Sequence, residues 1–209
     1  MIKHAKPFAC LLTALLLAGC AGSAAPTPTT ARYRVALIAK STSTEFWGAV
    51  FAGAEAAATE YNMDLTITGP ESEEDYAAQN DLIEKAVEDG AQAIIFSASD
   101  YQQNAAAMAA AAEKGVRIVV VDSAVDSTKV AAYIGADNYG AGQMAAKSAL
   151  ENVEGPLHVG LVSYNVNSPN AQEREKGVVD TLADSGRAEV AATVYSVATP
   201  ESARAETLT

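Results

Sequence analysis

Cysteine and histidine are scarce in this sequence. Its cysteines are Cys10 and Cys20, and its histidines are His4 and His158. Because no cysteine follows Cys20, the body of the chain can form no disulfide bond and offers no thiol nucleophile. His158 stands in an apolar run without a second histidine or a thiol nearby, so a transition metal would find too few nitrogen and sulfur ligands. We expect neither a metal ion nor a cofactor.

Basic residues are also few. The sequence contains 14 Lys and Arg residues against 26 Asp and Glu residues, which gives a formal net charge of -12 at pH 7. Proteins that bind nucleic acids neutralise the phosphates with Lys and Arg side chains. The charge balance therefore excludes nucleic acid as an expected partner.

Long apolar runs are missing except near the start of the chain. Lys3 and Lys6 precede an apolar run over residues 8–17, which is the pattern of a secretory signal peptide. A helix that crosses a bilayer needs roughly 20 apolar residues, and no later segment of the sequence approaches that length. We therefore predict a signal peptide over residues 1–19 and no membrane-spanning helix after it.

Residues 17–20 (LAGC) resemble the lipobox of bacterial lipoproteins, in which the cysteine is lipidated and becomes the mature N-terminus. The alternative is an ordinary signal peptidase site followed by a chance cysteine. Two acyl chains on Cys20 would hold the protein at a membrane, because each buried methylene contributes about 0.8 kcal/mol. Residues 20–32 would then be the lipidated cysteine and a flexible tether. We expect an exported lipoprotein in the periplasm or on the outer face of the cell membrane.

From residue 33 onward, strand-like apolar runs alternate with helical patterns. Strands are predicted at residues 33–39, 64–68, 93–97, 116–121 and 130–135. Thr42 and Glu45 have the spacing of a capping box for the first helix, and the third helix is predicted at residues 101–114. The first three strands share a spacing close to the roughly 30 residues of one strand-helix-strand unit. This spacing predicts a parallel sheet with right-handed crossovers.

The alternation of strands and helices begins again after residue 152, with a strand at 157–163 and a helix at 172–185. This restart predicts a second lobe, so we expect an N-terminal lobe at 33–136 and a C-terminal lobe at 137–209. The predicted fold class is α/β, with Rossmann-like, doubly wound parallel sheets in both lobes. The sequence ends inside a helix predicted from Thr199 and Pro200, so we expect that the second lobe is incomplete and the chain truncated.

Several short motifs stand at the ends of these elements. They are KSTSTEFW at residues 40–47, VDS at 121–123, GADN at 135–138 and EREKG at 173–177. In this order they resemble the type I periplasmic sugar-binding proteins of the ribose-binding and galactose-binding kind, and the likeness extends over nearly all of residues 33–209. The resemblance implies a two-lobed binding protein that closes on its ligand by a hinge.

The resemblance also implies a set of site residues at the strand ends, where open parallel sheets bind ligands. The implied ligand-binding residues are Lys40, Thr44, Phe46, Trp47, Asp122, Ser123, Gln172 and Arg174, with Asp137 and Asn138 in the hinge. Asp122 would accept hydrogen bonds from sugar hydroxyls, or alternatively cap the loop after its strand. Phe46 and Trp47 offer an apolar surface to a sugar ring, although Trp47 also fits the core-facing stripe of its helix. Lys40 either reaches the ligand or is an exposed lysine.

The sequence departs from the ribose-binding pattern at Ser123 and Gln172, where those relatives have arginines. Because bidentate donors are missing there, ribose itself is in doubt. Lys40 and Asp122 look closer to the branch that binds rhamnose or the furanosyl autoinducer. Arg174 either turns inward or forms a salt bridge at the surface.

Two acidic features have alternatives to ligand or metal binding. Asp100 either lines the rim of the cleft or caps the helix predicted from Tyr101. The acids at Glu71 and at residues 73–75 fit a solvated helix N-terminus better than a calcium site.

We therefore expect a binding protein, a monomer, that captures a sugar or polyol and delivers it to the permease of an ABC importer. The alternative is a sensor that presents such a ligand, for example a furanosyl autoinducer, to a chemoreceptor or histidine kinase. We do not expect an enzyme, and so no catalytic residue. The predicted cleft holds no histidine, and the sequence lacks a Gly-x-Ser-x-Gly elbow and a phosphate-binding glycine loop after the first strand.

Overall fold

The computed structural model describes residues 31–197 and 199–208. The predicted signal peptide at 1–19, Cys20 and most of the predicted tether at 20–32 lie outside the described residues. The strands are β1 (Tyr33–Ile38), β2 (Met63–Thr68), β3 (Ala93–Phe96), β4 (Arg117–Val121), β5 (Val130–Ile134), β6 (Leu157–Tyr164) and β7 (Ala188–Ser196). The helices are α1 (Glu45–Glu60), α2 (Tyr76–Glu88), α3 (Ala105–Glu113), α4 (Asn138–Asn152), α5 (Pro169–Asp184) and α6 (Pro200–Thr207). The predicted alternation of strands and helices is confirmed.

The first sheet is parallel and has the strand order β2-β1-β3-β4-β5. The order reverses at β1, where the chain first adds β2 on one side and then β3 on the other. In the register of the sheet, Ile38 of β1 pairs with both Thr68 and Phe96, so these strands end at one common edge. That edge, next to the reversal, is where doubly wound sheets bind their ligands.

Helices cover both faces of this sheet. On one face, Ile38, Phe96 and Ile118 of the strands pack with Ile83 of α2 and Met108 of α3, and each is no more than 1% exposed. Burying side chains of this size stabilises a fold by about 1.5–3 kcal/mol each.

On the opposite face, Leu37 and Ile95 pack with Trp47 and Phe51 of α1. Because β1 and β3 are covered on both sides, their sequences are continuous apolar runs without alternation. The predicted parallel, doubly wound sheet is confirmed.

The second sheet pairs β6 with β7, again in parallel. Helices α4 and α5 pack closely against each other, and glycine is needed at their contact. A Cβ at Gly142 would lie 2.9 Å from the carbonyl carbon of Arg174, and one at Gly177 would lie 3.0 Å from the backbone nitrogen of Gln143. These approaches are shorter than normal contacts of about 3.5–4.0 Å.

The predicted starts of α1 and α3 are wrong. The capping box of Thr42 and Glu45 does not form, because the N-cap of α1 is Thr44 and its side chain makes no capping hydrogen bond. The third helix begins at Ala105 and not at residue 101. Asp100 Oδ1 accepts hydrogen bonds from the backbone N–H groups of Gln102 and Gln103, both at 2.9 Å, and so fixes a turn before the helix.

Helix α6 follows local capping rules more closely. The Thr199 side chain accepts a hydrogen bond from the Ser202 backbone N–H and Pro200 occupies the first turn of α6, as predicted. Helix α5 begins at Pro169, earlier than the predicted residue 172. The boundary between lobes at residues 136 and 137 stays a prediction; it falls between the end of β5 and the start of α4. Across residues 31–197 and 199–208, none of the helices is both long and apolar enough to cross a membrane.

Candidate functional site

Polar and aromatic side chains converge on a cleft of about 280 Å³. One wall follows the carboxyl ends of β1 and β4, and the other comes from the end of β6 and the first turns of α5. The lining residues are Lys40, Thr44, Phe46, Trp47, Glu73, Asp122, Tyr164, Asn170 and Arg174. The cleft therefore lies at the edge that the sheet topology favours for ligand binding.

Lys40 is buried in this cleft, so the alternative of an exposed lysine is excluded. Its side chain is 1% exposed, and its Nζ donates a hydrogen bond to Ser168 Oγ at 3.0 Å. The same Nζ lies 5.4 Å from the centre of the Tyr164 ring and 3.9 Å from Glu73 Oε2. Burial lowers the pKa of Lys40, and the carboxylates of Glu73 and Asp122 act against that shift.

Asp122 follows β4 with a backbone φ of +60°, in the left-handed region. Asp tolerates this region better than most residues, but such conformations persist only where neighbouring contacts hold them. Here the Asp122 N–H donates to the Ile134 carbonyl at 2.9 Å, and the Asp122 carbonyl accepts from the Tyr133 hydroxyl at 2.8 Å. The backbone is thus fixed by β5, and the carboxylate is left to face the cleft.

The Asp122 carboxylate connects the two walls of the cleft. Its Oδ2 accepts a hydrogen bond from Ser97 Oγ at 3.1 Å, and its Oδ1 accepts one from Asn170 Nδ2 at 3.3 Å. Asn170 Oδ1 in turn accepts from the Tyr164 hydroxyl at 2.8 Å, and from Ser168 Oγ. The loop-capping alternative does not describe this side chain, because its partners are side chains in and around the cleft.

The aromatic residues of the first wall divide between the cleft and the core. Phe46 is 57% exposed, whereas Trp47 is only 1% exposed and packs with Leu37 and Phe51. The two rings meet edge to face, with centroids 5.1 Å apart. Trp47 Nε1 donates a hydrogen bond to Glu73 Oε1 at 3.0 Å, so only the polar edge of the indole is directed to the cleft.

Arg174 of α5 lines the cleft rather than forming a surface salt bridge. Its Nε donates to Asn138 Oδ1 at 2.8 Å, which joins α5 to the start of α4. Asn138 is 2% exposed, and Asp137 caps α4 by accepting from the Gly140 backbone N–H at 2.9 Å. The hinge role of Asp137 and Asn138 stays a prediction.

Two of the predicted ligand residues do not line the cleft. Ser123 is fully buried, and its backbone N–H donates to Ser97 Oγ at 3.3 Å. Gln172 is exposed, and its Nε2 donates to the Val166 carbonyl at 2.6 Å. The other predicted residues all line it, and their contact with a ligand stays a prediction.

Three lining residues were not predicted. Tyr164 ends β6, so the rule that placed Asp122 at a strand end could have found it. Asn170 was missed because the predicted helix began too late. The assignment of Glu73 to a solvated helix N-terminus is wrong, because its carboxylate contacts Trp47 and Lys40. Only the folding of the loop after β2 brings it there.

A buried glutamine holds the strand ends that carry this site. Gln79 of α2 is fully buried; its Nε2 donates to the Ala39 carbonyl at 2.8 Å and to the Ser97 carbonyl at 2.9 Å. Its Oε1 accepts from the Ser99 backbone N–H at 2.9 Å. One side chain therefore fixes the ends of β1 and β3 together. In the described part of the chain, no cluster of His, Cys, Asp and Glu side chains is arranged to hold a metal ion.

The chain has a doubly wound sheet, a cleft at its strand ends and a second parallel sheet. These features are typical of two-sheet ligand-binding proteins. The chain belongs to the periplasmic binding protein domain family, whose model matches residues 35–209. No curated protein matches the chain.

Solved structures agree with this family. The chain is similar to a sugar transporter from Clostridium phytofermentans, with 31% identity, a TM-score of 0.72, and coverage of 78% of this chain and 61% of that one. It is similar to an ABC transporter solute-binding protein from Agrobacterium vitis with bound D-fucose, with 27% identity, a TM-score of 0.75, and coverage of 78% and 58%.

The fold also matches the periplasmic component of an ABC-type sugar transport system from Hahella chejuensis, with 24% identity and a TM-score of 0.80. That match covers 83% of this chain and 64% of the other. The chain thus spans about three fifths of the length of these structures. The resemblance to the type I periplasmic binding proteins and the predicted fold class are confirmed.

Proposed function

We propose that this protein captures a sugar or sugar-like ligand in the cleft and delivers it to the permease of an ABC importer. The observation that carries the proposal is the meeting of Lys40, Asp122 and an exposed Phe46 around one cleft at the strand ends. Charged donors and acceptors form hydrogen bonds about twice as strong as neutral ones, which suits a ligand rich in hydroxyl groups. The exposed aromatic ring suits the C–H face of a sugar ring.

The size of the cleft supports a small ligand. Its volume of about 280 Å³ is just below the roughly 300–1,000 Å³ of pockets for small molecules. A monosaccharide or polyol suits this space better than an oligosaccharide. D-Fucose, which is bound to the Agrobacterium vitis protein, is one member of the test panel.

Contacts across the cleft support a closing motion. Lys40 bonds to Ser168 and Asp122 bonds to Asn170, so residues before α4 contact residues that open α5 directly. A ligand with several hydroxyl groups would form hydrogen bonds with both sides of the cleft at once. It would therefore bind the closed form more tightly than the open form and shift the population toward closure. The moving parts are the proposed lobes at residues 33–136 and 137–209. We propose no catalytic step, because hydrogen bonding and closure suffice for a carrier.

The first residues of the sequence bear on where the protein is located. We propose a signal peptide at residues 1–19, a lipid anchor on Cys20, and a monomeric, extracytoplasmic protein. The variant Cys20→Ser should lose incorporation of labelled fatty acid and should leave the membrane fraction. Retention of the label in that variant would refute the anchor. Co-purification with a chemoreceptor or a histidine kinase instead of a permease would replace delivery by the sensor role.

A thermal-shift screen of the full-length mature protein tests ligand capture. The panel contains pentoses, hexoses, deoxysugars including D-fucose, inositols and the furanosyl autoinducer. A ligand at a hundredfold excess over its dissociation constant stabilises the folded state by about 2.7 kcal/mol, so the melting temperature should rise clearly. Trp47 is the only tryptophan of the sequence and touches the cleft, so its fluorescence should report binding of any hit.

The variant Asp122→Asn isolates the carboxylate, because asparagine also tolerates a positive φ. We expect its dissociation constant to rise at least tenfold for any hit, since a hydrogen bond to a charged group contributes about 1.5–3 kcal/mol. Asp64→Asn is the matched control, because it removes the same charge from an exposed position on β2. Equal affinity in both variants, or silence of the folded wild-type protein across the whole panel, would contradict the proposed function.

A further inference from the structure

We propose that Glu73 selects the charge of the ligand, so that the cleft accepts uncharged sugars and rejects sugar acids. This inference rests on the proposed sugar-binding function and deepens it. Glu73 was not identified by the strand-end pattern, but its carboxylate lies in the cleft wall.

The loop that carries Glu73 is fixed to the loop after β1. The Thr42 backbone N–H donates to the Pro70 carbonyl at 3.2 Å, and Ser41 Oγ donates to the Glu71 carbonyl at 3.1 Å. Residues of the segment after β2 are thereby held beside Lys40. The position of Glu73 is a product of these contacts and not of a solvated helix end.

The carboxylate of Glu73 is only partly satisfied by the protein. Its Oε1 accepts the Trp47 Nε1–H at 3.0 Å, but its Oε2 lies 3.9 Å from Lys40 Nζ. Charge-assisted hydrogen bonds are about 2.7–2.9 Å long, so this separation is an electrostatic contact without a hydrogen bond. Oε2 is therefore available to a ligand hydroxyl, and the side chain is 16% exposed.

The charges that line the cleft are balanced. Lys40 and Arg174 are cations, and Glu73 and Asp122 are anions, so their formal charges cancel. Glu73 is the carboxylate that most strongly opposes the fall in the pKa of Lys40 caused by burial. With Glu73 ionised, a ligand carboxylate would gain no net attraction and would meet two like charges. Without it, the cleft would carry one unpaired positive charge and would attract an anion.

The test compares matched ligands on the wild-type protein and on Glu73→Gln. The probes are D-galactose with D-galacturonate and D-glucose with D-glucuronate, because the members of each pair share one pyranose ring and differ by the carboxylate at C6. Affinities are measured by calorimetry and by Trp47 fluorescence. The variant keeps an oxygen acceptor for the Trp47 indole while it removes the charge.

We expect the wild-type protein to prefer the uncharged sugar of a pair at least tenfold. In Glu73→Gln, the ratio of the two dissociation constants should shift at least tenfold toward the acid. A purely structural role of Glu73 would weaken both ligands alike and leave the ratio unchanged. Glu74→Gln is the matched control, because Glu74 is the adjacent carboxylate and does not line the cleft; its ratio should change less than threefold.

The outcomes separate this inference from the proposed function. A wild-type protein that binds the uncharged sugar, with the same ratio in Glu73→Gln, would overturn the inference and leave the proposed function intact. A wild-type protein that prefers the acid would overturn the inference as well. Binding of neither member of either pair, together with silence in the thermal-shift panel, would overturn both.

Discussion

The contact between α4 and α5 provides the sharpest stability prediction, and the perturbation is Gly177→Ala. A Cβ at this position would lie 3.0 Å from the Gln143 nitrogen and 3.1 Å from the Tyr139 carbonyl carbon, and closer still to the Tyr139 carbonyl oxygen. All of these atoms are backbone atoms of α4, so no side-chain rotation can relieve the overlap. The approach to the Tyr139 carbonyl oxygen is the shortest, so the helices must separate by about one ångström or more to reach normal contact distances of roughly 3.5–4.0 Å.

The size of the effect follows from two opposing contributions. Overpacking typically costs about 1–3 kcal/mol, and replacing Gly by Ala inside a helix returns up to about 1 kcal/mol. We expect Gly177→Ala to lower the free energy of unfolding by about 1–2 kcal/mol. Gly53→Ala in α1 is the matched control, because no atom beyond the adjacent backbone of its own helix lies within 4 Å of its Cβ position. That variant should gain about 0.5–1 kcal/mol.

Urea unfolding followed by circular dichroism measures both variants. The separation of the helices should also disturb the cleft, because Asn138 on α4 and Arg174 on α5 share a hydrogen bond of 2.8 Å. Gly177→Ala should therefore bind ligand more weakly, although Gly177 does not line the cleft. A variant at Gly177 that is as stable as the wild-type protein, while Gly53→Ala behaves as expected, would refute the close helix contact.

Two further substitutions probe the strand ends. Gln79→Leu leaves three buried backbone groups without their partners, and at about 0.5–1.5 kcal/mol per hydrogen bond it should cost about 2–4 kcal/mol in urea unfolding; an unchanged midpoint would contradict this role. Lys40→Met should abolish ligand binding yet stabilise the unliganded protein, because the lowered pKa of Lys40 means that the cost of burying its charge exceeds what Glu73 and Asp122 return. Burial lowers the pKa of Lys40 below its ordinary 10.5, so the unfolded state binds more protons between these two pKa values and stability rises with pH through that window. The rise should be absent from Lys40→Met, and a rise of equal size there would assign it to another group.

Most of the residues at the strand ends that line the cleft were predicted from the sequence. Lys40 and Asp122 were predicted because each follows an apolar strand, and parallel strands end at a common edge of their sheet. Thr44, Phe46, Trp47 and Arg174 were predicted with them by resemblance, and all line the cleft. Ser123 was predicted in the same way and is instead fully buried, since the left-handed backbone at Asp122 turns the chain at this point.

The helix starts were predicted correctly only where local capping decides them. Thr199 and Pro200 were predicted correctly because capping and proline preferences act within one turn. The start of the third helix was placed too early, because the Asp100 side chain orders a separate turn that resembles a helix start in sequence.

The sequence was enough to predict the alternation of strands and helices, the parallel first sheet and the edge at which the cleft lies. These features follow from local periodicity, to which every residue in a segment contributes. Two features are visible only in the folded molecule: Glu73 enters the cleft, and Lys40 bonds to Ser168 across 128 positions of the chain. Such contacts depend on how loops and helices pack over the strand ends, and no local pattern of residues encodes that packing.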